Sequence, residues 1–514
     1  MAYEDAVQLP NGAWFDITAF RLRVLQLNAT NPAVPQDGRI KLANGQTHDV
    51  ELMVARLGLA DGMPALSTPD SLHGIRLPNG NVYDAQDLNR RLVARDGGQS
   101  CFLSRIGATL TARPDDVKLK LTPGGFVAGD DGVPVITPYI GQVATRTFVP
   151  TSQDPVSAKQ LYARNVHYAG TNMTTVAALL ANWWVGAQNN PKDGSEAASG
   201  GSMTTTFSIE DTAGNITQFT FGGATSGVIG SGLDRLTDYV TLRQPILKGS
   251  KFYSRVWQSC PSGVIFSTPN IPHAEDQIAY GTTTPDLTMG GTAGAGQGGV
   301  GYGPVAIVGL TTAPSVFIGG DSEQRGQADT VDATGDVGGI ARALGLAGIP
   351  YINAAAGSDT VGNASANGCA KYAKRGAAAR FCSHAILAYG NNDFFLNNAL
   401  NAAVKTNVET LTAFVAARVQ TGKVGLATLT PVANSDGSVN TTVNPKRTTH
   451  NDYIRNNQMA GMWRAFEVAD PVESARNSGQ WKANFSTDGL HGLQAAKLAI
   501  RNSGNIPGSA FAYP

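Results

Sequence analysis

Between residues 313 and 507, short apolar runs alternate with longer segments of helical spacing. The runs fall at 315–319, 350–354, 384–389, 423–429 and 465–469. The clearest helical segment is 396–419, where Leu396, Leu400, Val404, Leu411 and Val415 recur at helical intervals. Parallel strands cannot be joined by tight hairpins and need crossovers, usually helical. The alternation therefore predicts a parallel sheet covered by helices on both faces. In such sheets ligands bind beyond the carboxyl ends of the strands, so the residues that follow each run matter most.

The first run ends in Gly319-Gly320-Asp321-Ser322-Glu323. A buried strand that stops at two glycines delivers a serine to a tight turn at the sheet edge. A serine hydroxyl is hardly ionised at neutral pH and needs a base within reach, and that base needs an acid to hold its tautomer. Of the seven histidines (His48, His73, His167, His273, His384, His450 and His491), the last three fall in this region, and of those His491 alone lies three residues after an aspartate, in Asp488-Gly489-Leu490-His491. Asp488 is also a competent cap for the terminal helix that contains Leu493, Leu498 and Ile500. The run at 384–389 leads into Gly390-Asn391-Asn392-Asp393, strong turn chemistry that also offers a neutral amide to a developing oxyanion. The run at 350–354 leads to Gly357-Ser358-Asp359, where Gly357 offers a backbone N–H with no side chain in the way.

Gly320-Asp321-Ser322, Gly357, Gly390-x-Asn392-Asp393 and Asp488-x-x-His491 resemble, in order, the four blocks of the SGNH (GDSL-like) hydrolases. Intervals of 35, 35 and 99 residues separate Ser322, Gly357, Asn392 and His491. The resemblance implies a three-layer α/β/α flavodoxin-like hydrolase with Ser322 as nucleophile, His491 as general base and Asp488 orienting the base. It implies an oxyanion hole of the Ser322 N–H, the Gly357 N–H and the Asn392 side chain. Asp321 then shapes the turn. Glu323 stands where the family carries an apolar residue, and Ser358-Asp359 add polarity to the second block; both are read as specificity features.

The remaining chain is organised differently. With 514 residues it exceeds one compact core. Residues 1–97 hold three units marked by Asn11-Gly12, Asn44-Gly45 and Asn79-Gly80, each followed by an aspartate (Asp16, Asp49, Asp84) and then an arginine (Arg23, Arg56, Arg91). The expected unit is a β-hairpin on a two-residue Asn-Gly turn, then a short helix capped by the aspartate. Units this small stack on neighbours or on identical chains, so they are assigned to attachment or assembly, with a homo-oligomer as the implied partner. Residues 98–159 are a β-rich connector, and Asp130-Asp131 there lack the spacing of a calcium loop. Residues 160–280 are expected to form an antiparallel, jelly-roll-like β-sandwich, because 204–210 and 216–221 alternate around the turn 211–215. A helix is expected over 176–185, carrying Trp183 and Trp184 as core residues. Residues 281–312 read as a Gly-rich linker; Gly294, Gly296 and Gly299 match a dinucleotide fingerprint but lack its strand and helix. The hydrolase-like domain is 313–507.

Composition removes several classes of function. Basic and acidic residues are equal at 39 each and no basic run occurs, so no nucleic-acid partner is expected. No run of about 18 apolar residues exists, so no membrane span is expected. The N-terminus lacks a basic segment and an apolar stretch, so no Sec signal is expected. Cytoplasmic, virion-associated and otherwise exported settings all stay open. Cys101, Cys260, Cys369 and Cys382 read as buried thiols, and no cofactor or metal is expected. The expected function is a serine carbohydrate esterase that removes acetyl groups from a polysaccharide. Two alternatives stand beside it: a phage tail-associated deacetylase or depolymerase, and a sugar-binding structural protein with a vestigial hydrolase domain.

Overall fold

The computed structural model describes residues 138–513 apart from 154–157, 187–194, 268–272, 294–301 and 331, together with eight short strands between residues 6 and 127. The chain divides into two compact units, Met1–Ile140 and Gly141–Tyr513.

In the first unit the described strands pair as four antiparallel hairpins. Ala6–Gln8 pairs with Trp14–Asp16, Arg39–Lys41 with Thr47–Asp49, and Gly74–Arg76 with Val82–Asp84. The three share one register, since Asp16, Asp49 and Asp84 oppose Ala6, Arg39 and Gly74. Each ladder closes at Gln8↔Trp14, Lys41↔Thr47 or Arg76↔Val82. The connection is therefore longer than the two-residue turn expected from Asn-Gly. The helices expected after each aspartate, the Asp130-Asp131 turn and Cys101 lie outside the described residues. A fourth hairpin pairs Lys120–Thr122 with Gly125–Val127.

The second unit holds a β-sandwich and an α/β layer structure. In one sheet Lys251–Ser259 lies between Met203–Asp211 and Gln160–Tyr168, flanked by Ile216–Gln218 and Gln277–Gly281. In the other, Met173–Ala181 pairs with Asp234–Leu236, Val240–Ile246 and Ala306–Thr311, all antiparallel. Between them Phe207, Ile209, Phe219, Phe252, Val256, Leu180 and Ile307 pack as one core. Two expectations are corrected here. Residues 176–185 are strand, Met173–Ala181 followed by Trp183–Val185, and not helix. The run from Val176 to Ala181 is buried on both faces, and a continuous apolar run carries no period that separates strand from helix. The second correction concerns boundaries. Ala306–Thr311, assigned to the 281–312 linker, is a sandwich strand, and Val143 and Ala144 from the 98–159 connector lie in the sandwich core. Thr147–Phe148 from the same connector adds a parallel edge strand to the α/β sheet. Sandwich and α/β layers are thus one compact unit. The segment matching the dinucleotide fingerprint lies outside the described residues.

The α/β sheet contains β1 (Val316–Gly320), β2 (Tyr351–Asn353), β3 (His384–Ala388), β4 (Lys423–Ala427) and β5 (Arg464–Phe466), all parallel, in the order β2-β1-β3-β4-β5. That is the order of a flavodoxin-like sheet, whose switch point falls between β1 and β3. Strand alternation divides the side chains. Val316, Ile318 and Ile386 pack with Ile340 and Leu344 of the helix Gly339–Leu346 and Ile500 of the helix Gln494–Asn502. Leu387 and Leu426 point the other way, toward Val361, Val408, Leu411 and Ile454. Three layers result. The helix expected over 396–419 is two helices, Asn391–Asn397 and Asn401–Ala416, broken at Asn398, which adopts φ 51°. Val404, Leu411 and Val415 are buried, whereas Leu396 and Leu400, before and after the break, are exposed.

Candidate active site

Ser322 is the first residue of the one-turn helix Ser322–Arg325 that begins where β1 ends. Asp321 caps it, its Oδ1 accepting from the Glu323 N–H at 3.0 Å. Asp321 is buried, and burial pushes its carboxyl up to about 7 against that hydrogen bond. The turn closes at Gly326 with φ 92°, where a Cβ would come within 2.8 Å of the Val337 side chain.

His491 reaches this turn from the loop ahead of the helix Gln494–Asn502. The Ser322 hydroxyl lies 3.0 Å from His491 Nε2, and His491 Nδ1 lies 2.7 Å from Asp488 Oδ2. Asp488 Oδ1 accepts from the backbone N–H groups of Leu490 and His491, both at 2.8 Å. Partial burial works against the Asp488 charge, yet the hydrogen bonds from His491 and Leu490 hold its carboxyl down at about 2. Asp488 therefore holds the turn with one oxygen and faces the imidazole with the other; it does not cap the terminal helix, whose N-cap is Leu493 with no side-chain hydrogen bond. His167 and His384 are buried elsewhere against Thr145, Ser254 and Ser383, and His450 is buried; burial lowers all three to about 4.

Glu323, unexplained by the sequence, is built into this arrangement. Its Oε1 accepts from the Gly492 N–H at 2.7 Å and its Oε2 is ion-paired with Lys497 of the terminal helix. Both side chains are buried, 5% and 1% exposed. Reading Glu323 as a specificity feature is corrected: it faces away from solvent and ties the Ser322 turn to the His491 loop. Asp359 is corrected likewise. It is buried, paired with Arg375 at 2.6 Å and accepting from the Tyr389 hydroxyl at 2.9 Å.

Ser322, Gly357, Ser358, Asn392 and His491 all line one cleft of about 470 Å³. The strand end before Gly357 is held by the Ala356 N–H, which donates to the Gly320 carbonyl at 3.1 Å. Asn392 Nδ2 donates to the Asp359 carbonyl at 2.9 Å, which fixes the orientation of its amide. Among the described residues, neither the Ser322 nor the Gly357 backbone N–H has an acceptor.

The sandwich supplies the opposite wall. Thr151, Trp184 and Val185 line the same cleft, and nothing in their local sequence announced it. Trp183 is core, its indole N–H donating to Asp234; Trp184, also buried, has one edge on the cleft. Phe395 and Leu396 form a half-exposed apolar rim. Arg325 lines the cleft too, and its spacing from Ser322 was a signal available in the sequence. Cys260, Cys369 and Cys382 are buried free thiols. No helix among the described residues is long and apolar enough to cross a membrane.

No protein-family model matches the chain. No curated protein matches it either. Solved structures do. A carbohydrate acetylesterase from Sinorhizobium meliloti aligns over 38% of this chain and 99% of its own, at 15% identity and a TM-score of 0.28. A carbohydrate esterase family 2 enzyme with a carbohydrate-binding domain, from Corynascus thermopiles (Myceliophthora fergusii), aligns over 71% and 98%, at 12% identity and a TM-score of 0.29. A GDSL-like lipase from Bacteroides thetaiotaomicron aligns over 36% and 83%, at 14% identity and a TM-score of 0.27. Likeness at this level leaves chemistry and substrate to the side chains themselves.

Proposed function

We propose that this protein is a carboxylic ester hydrolase working through Ser322, His491 and Asp488. The observation that carries the proposal is the relay of Ser322 Oγ to His491 Nε2 at 3.0 Å and His491 Nδ1 to Asp488 at 2.7 Å, opening on a cleft. The Ser322 hydroxyl passes its proton to Nε2 as Oγ attacks the acyl carbon. The carbonyl oxygen becomes an oxyanion between the Ser322 N–H, the Gly357 N–H and the Asn392 amide. Asp488, held ionised, stabilises the imidazolium. Collapse of the intermediate breaks the ester C–O bond, and His491 returns the proton to the departing alkoxide. Water, deprotonated by His491, then attacks the acyl-serine and releases the acid.

The proposed substrate is an O-acetyl ester on a polysaccharide. A cleft walled by two layers, with Trp184 on one side and a half-exposed Phe395 on the rim, suits a sugar ring, whose apolar face packs on aromatic carbon. A fluorophosphonate probe should label Ser322 and no other residue, as mapped by peptide mass spectrometry. Absence of labelling would favour the vestigial sugar-binding alternative.

A second reading keeps the chemistry and sets it in a tail-spike or tail-associated deacetylase. It draws on the three N-terminal hairpins that share one register, as expected of units that stack. Light scattering on the full chain decides it: an oligomer supports this setting and a monomer argues against it.

A further inference from the structure

Among the described residues, Arg325 brings a positive charge to the cleft with no carboxylate paired to it. Arg325 lies three residues past Ser322 on the same helical turn and lines the cleft beside Ser322 and His491. Its Nη1 lies 2.6 Å from where a Cβ on Gly357 would stand, so the missing side chain at 357 is what admits the guanidinium. Arginines buried elsewhere are matched with acids: Arg146 with Asp276, Arg342 with Asp329, Arg375 with Asp359 and Arg447 with Glu473. Arg325 differs from all of them. The described lining of the cleft holds no Asp or Glu, and burial lowers the Arg325 pKa with no carboxylate opposing it.

Removing a guanidinium from water without a partner is costly. Its planar fork of donors matches a carboxylate in two-point contact. A partly buried arginine beside the reacting serine, on a lining whose described residues include no carboxylate, is therefore poised for an anion that arrives with the substrate. Acetate as a product does not account for it, since the oxyanion donors and His491 already surround the acyl group.

We propose that Arg325 binds a carboxylate on the sugar that carries the ester, so that the substrate is an O-acetylated acidic glycan. This rests on the ester-hydrolase reading above and adds the substrate's charge to it. Arg325 acts here as a specificity residue; it takes no part in proton transfer. Ser358 and Asn392, neutral neighbours on the same lining, leave the carboxylate free of competing charge.

The test uses the full chain and O-acetylated uronate oligosaccharides, compared with the same oligosaccharides after their carboxyls are reduced to alcohols. Wild type is expected to favour the acidic form by about tenfold or more in kcat/KM. Arg325→Gln should bring the ratio close to one, and Arg325→Lys should keep part of the preference. Thermal melts establish that each variant is folded. Equal rates on both forms with wild type, acetate release from neither, or a preference that survives in Arg325→Gln overturns the proposal. Turnover of 4-nitrophenyl acetate by the wild type reports separately on the esterase reading: if that is absent too, the reading has failed and not merely the charge assignment.

Discussion

Glu323 accepts a hydrogen bond from the Gly492 N–H at 2.7 Å, so the residue after Ser322 holds the residue after His491. Lys497 completes the contact as a buried counter-ion on the helix that follows the histidine loop. The distance between Ser322 and His491 is thus set by a clamp lying behind both, out of solvent.

Breaking that clamp on one side leaves a buried charge alone. Glu323→Gln and Lys497→Met are each expected to cost about 3–5 kcal/mol of stability by chemical denaturation. The double variant, which leaves no charge and keeps an acceptor for Gly492, should recover more than half of that loss. Glu323→Ala removes the acceptor as well, and kcat should fall about tenfold or more as His491 drifts from Ser322. Additive losses in the double variant would show that the two residues are not coupled.

Asp321 gives the fold a pH dependence of known sign. Its carboxyl is near 7 in the folded chain and about 3.9 in an unfolded one. The folded state therefore holds the proton more tightly, and the resulting stability is full below pH 4 and lost as pH rises through 7. Asparagine keeps the cap to the Glu323 N–H without the proton. Asp321→Asn should gain on the wild type between pH 4 and pH 8, by up to a few kcal/mol, on the order of the shift itself. Melting curves across that range check it, and a constant gap between the two proteins would contradict it.

Gly489 sits between Asp488 and His491 at φ 78°, and a Cβ there would lie 2.5 Å from the carbonyl oxygens of Ala433 and Asn434. Backbone oxygens cannot swing aside as a side chain can. Gly489→Ala should cost about 1–3 kcal/mol or more in stability and displace the loop that bears His491. Denaturation curves and kcat on a simple acetyl ester should fall together; a loss in one alone would mean that the loop is not positioned by this turn.

Much of the α/β layer was legible because each strand is a short apolar run punctuated by Gly, Asn, Asp or Pro, and each such stop is local. The same holds for Ser322, Gly357, Asn392, Asp488 and His491, whose spacing within each block survives in one dimension. What the sequence hid is whatever depends on two distant segments meeting. Lys497 reads as one charge on an amphipathic helix until Glu323 is placed beside it. Asp359 reads as a specificity feature until it is placed, buried, against Arg375. Residues 176–181 have no period because both faces are covered, so strand could not be told from helix there. Ala306–Thr311 hid behind a Gly-rich stretch and was assigned to the linker. Trp184 and Thr151 reach the cleft only because the sandwich packs against the α/β layers, a relation with no sequence signature.

The central claim is that Ser322 is the nucleophile of an ester hydrolase. Hydrolysis of 4-nitrophenyl acetate by the full chain, compared with Ser322→Ala of unchanged melting temperature, tests it most directly. The account expects turnover by the wild type and a loss of about a thousandfold or more in the variant. A folded Ser322→Ala protein that works at the wild-type rate, or a wild type with no turnover at all, would contradict it.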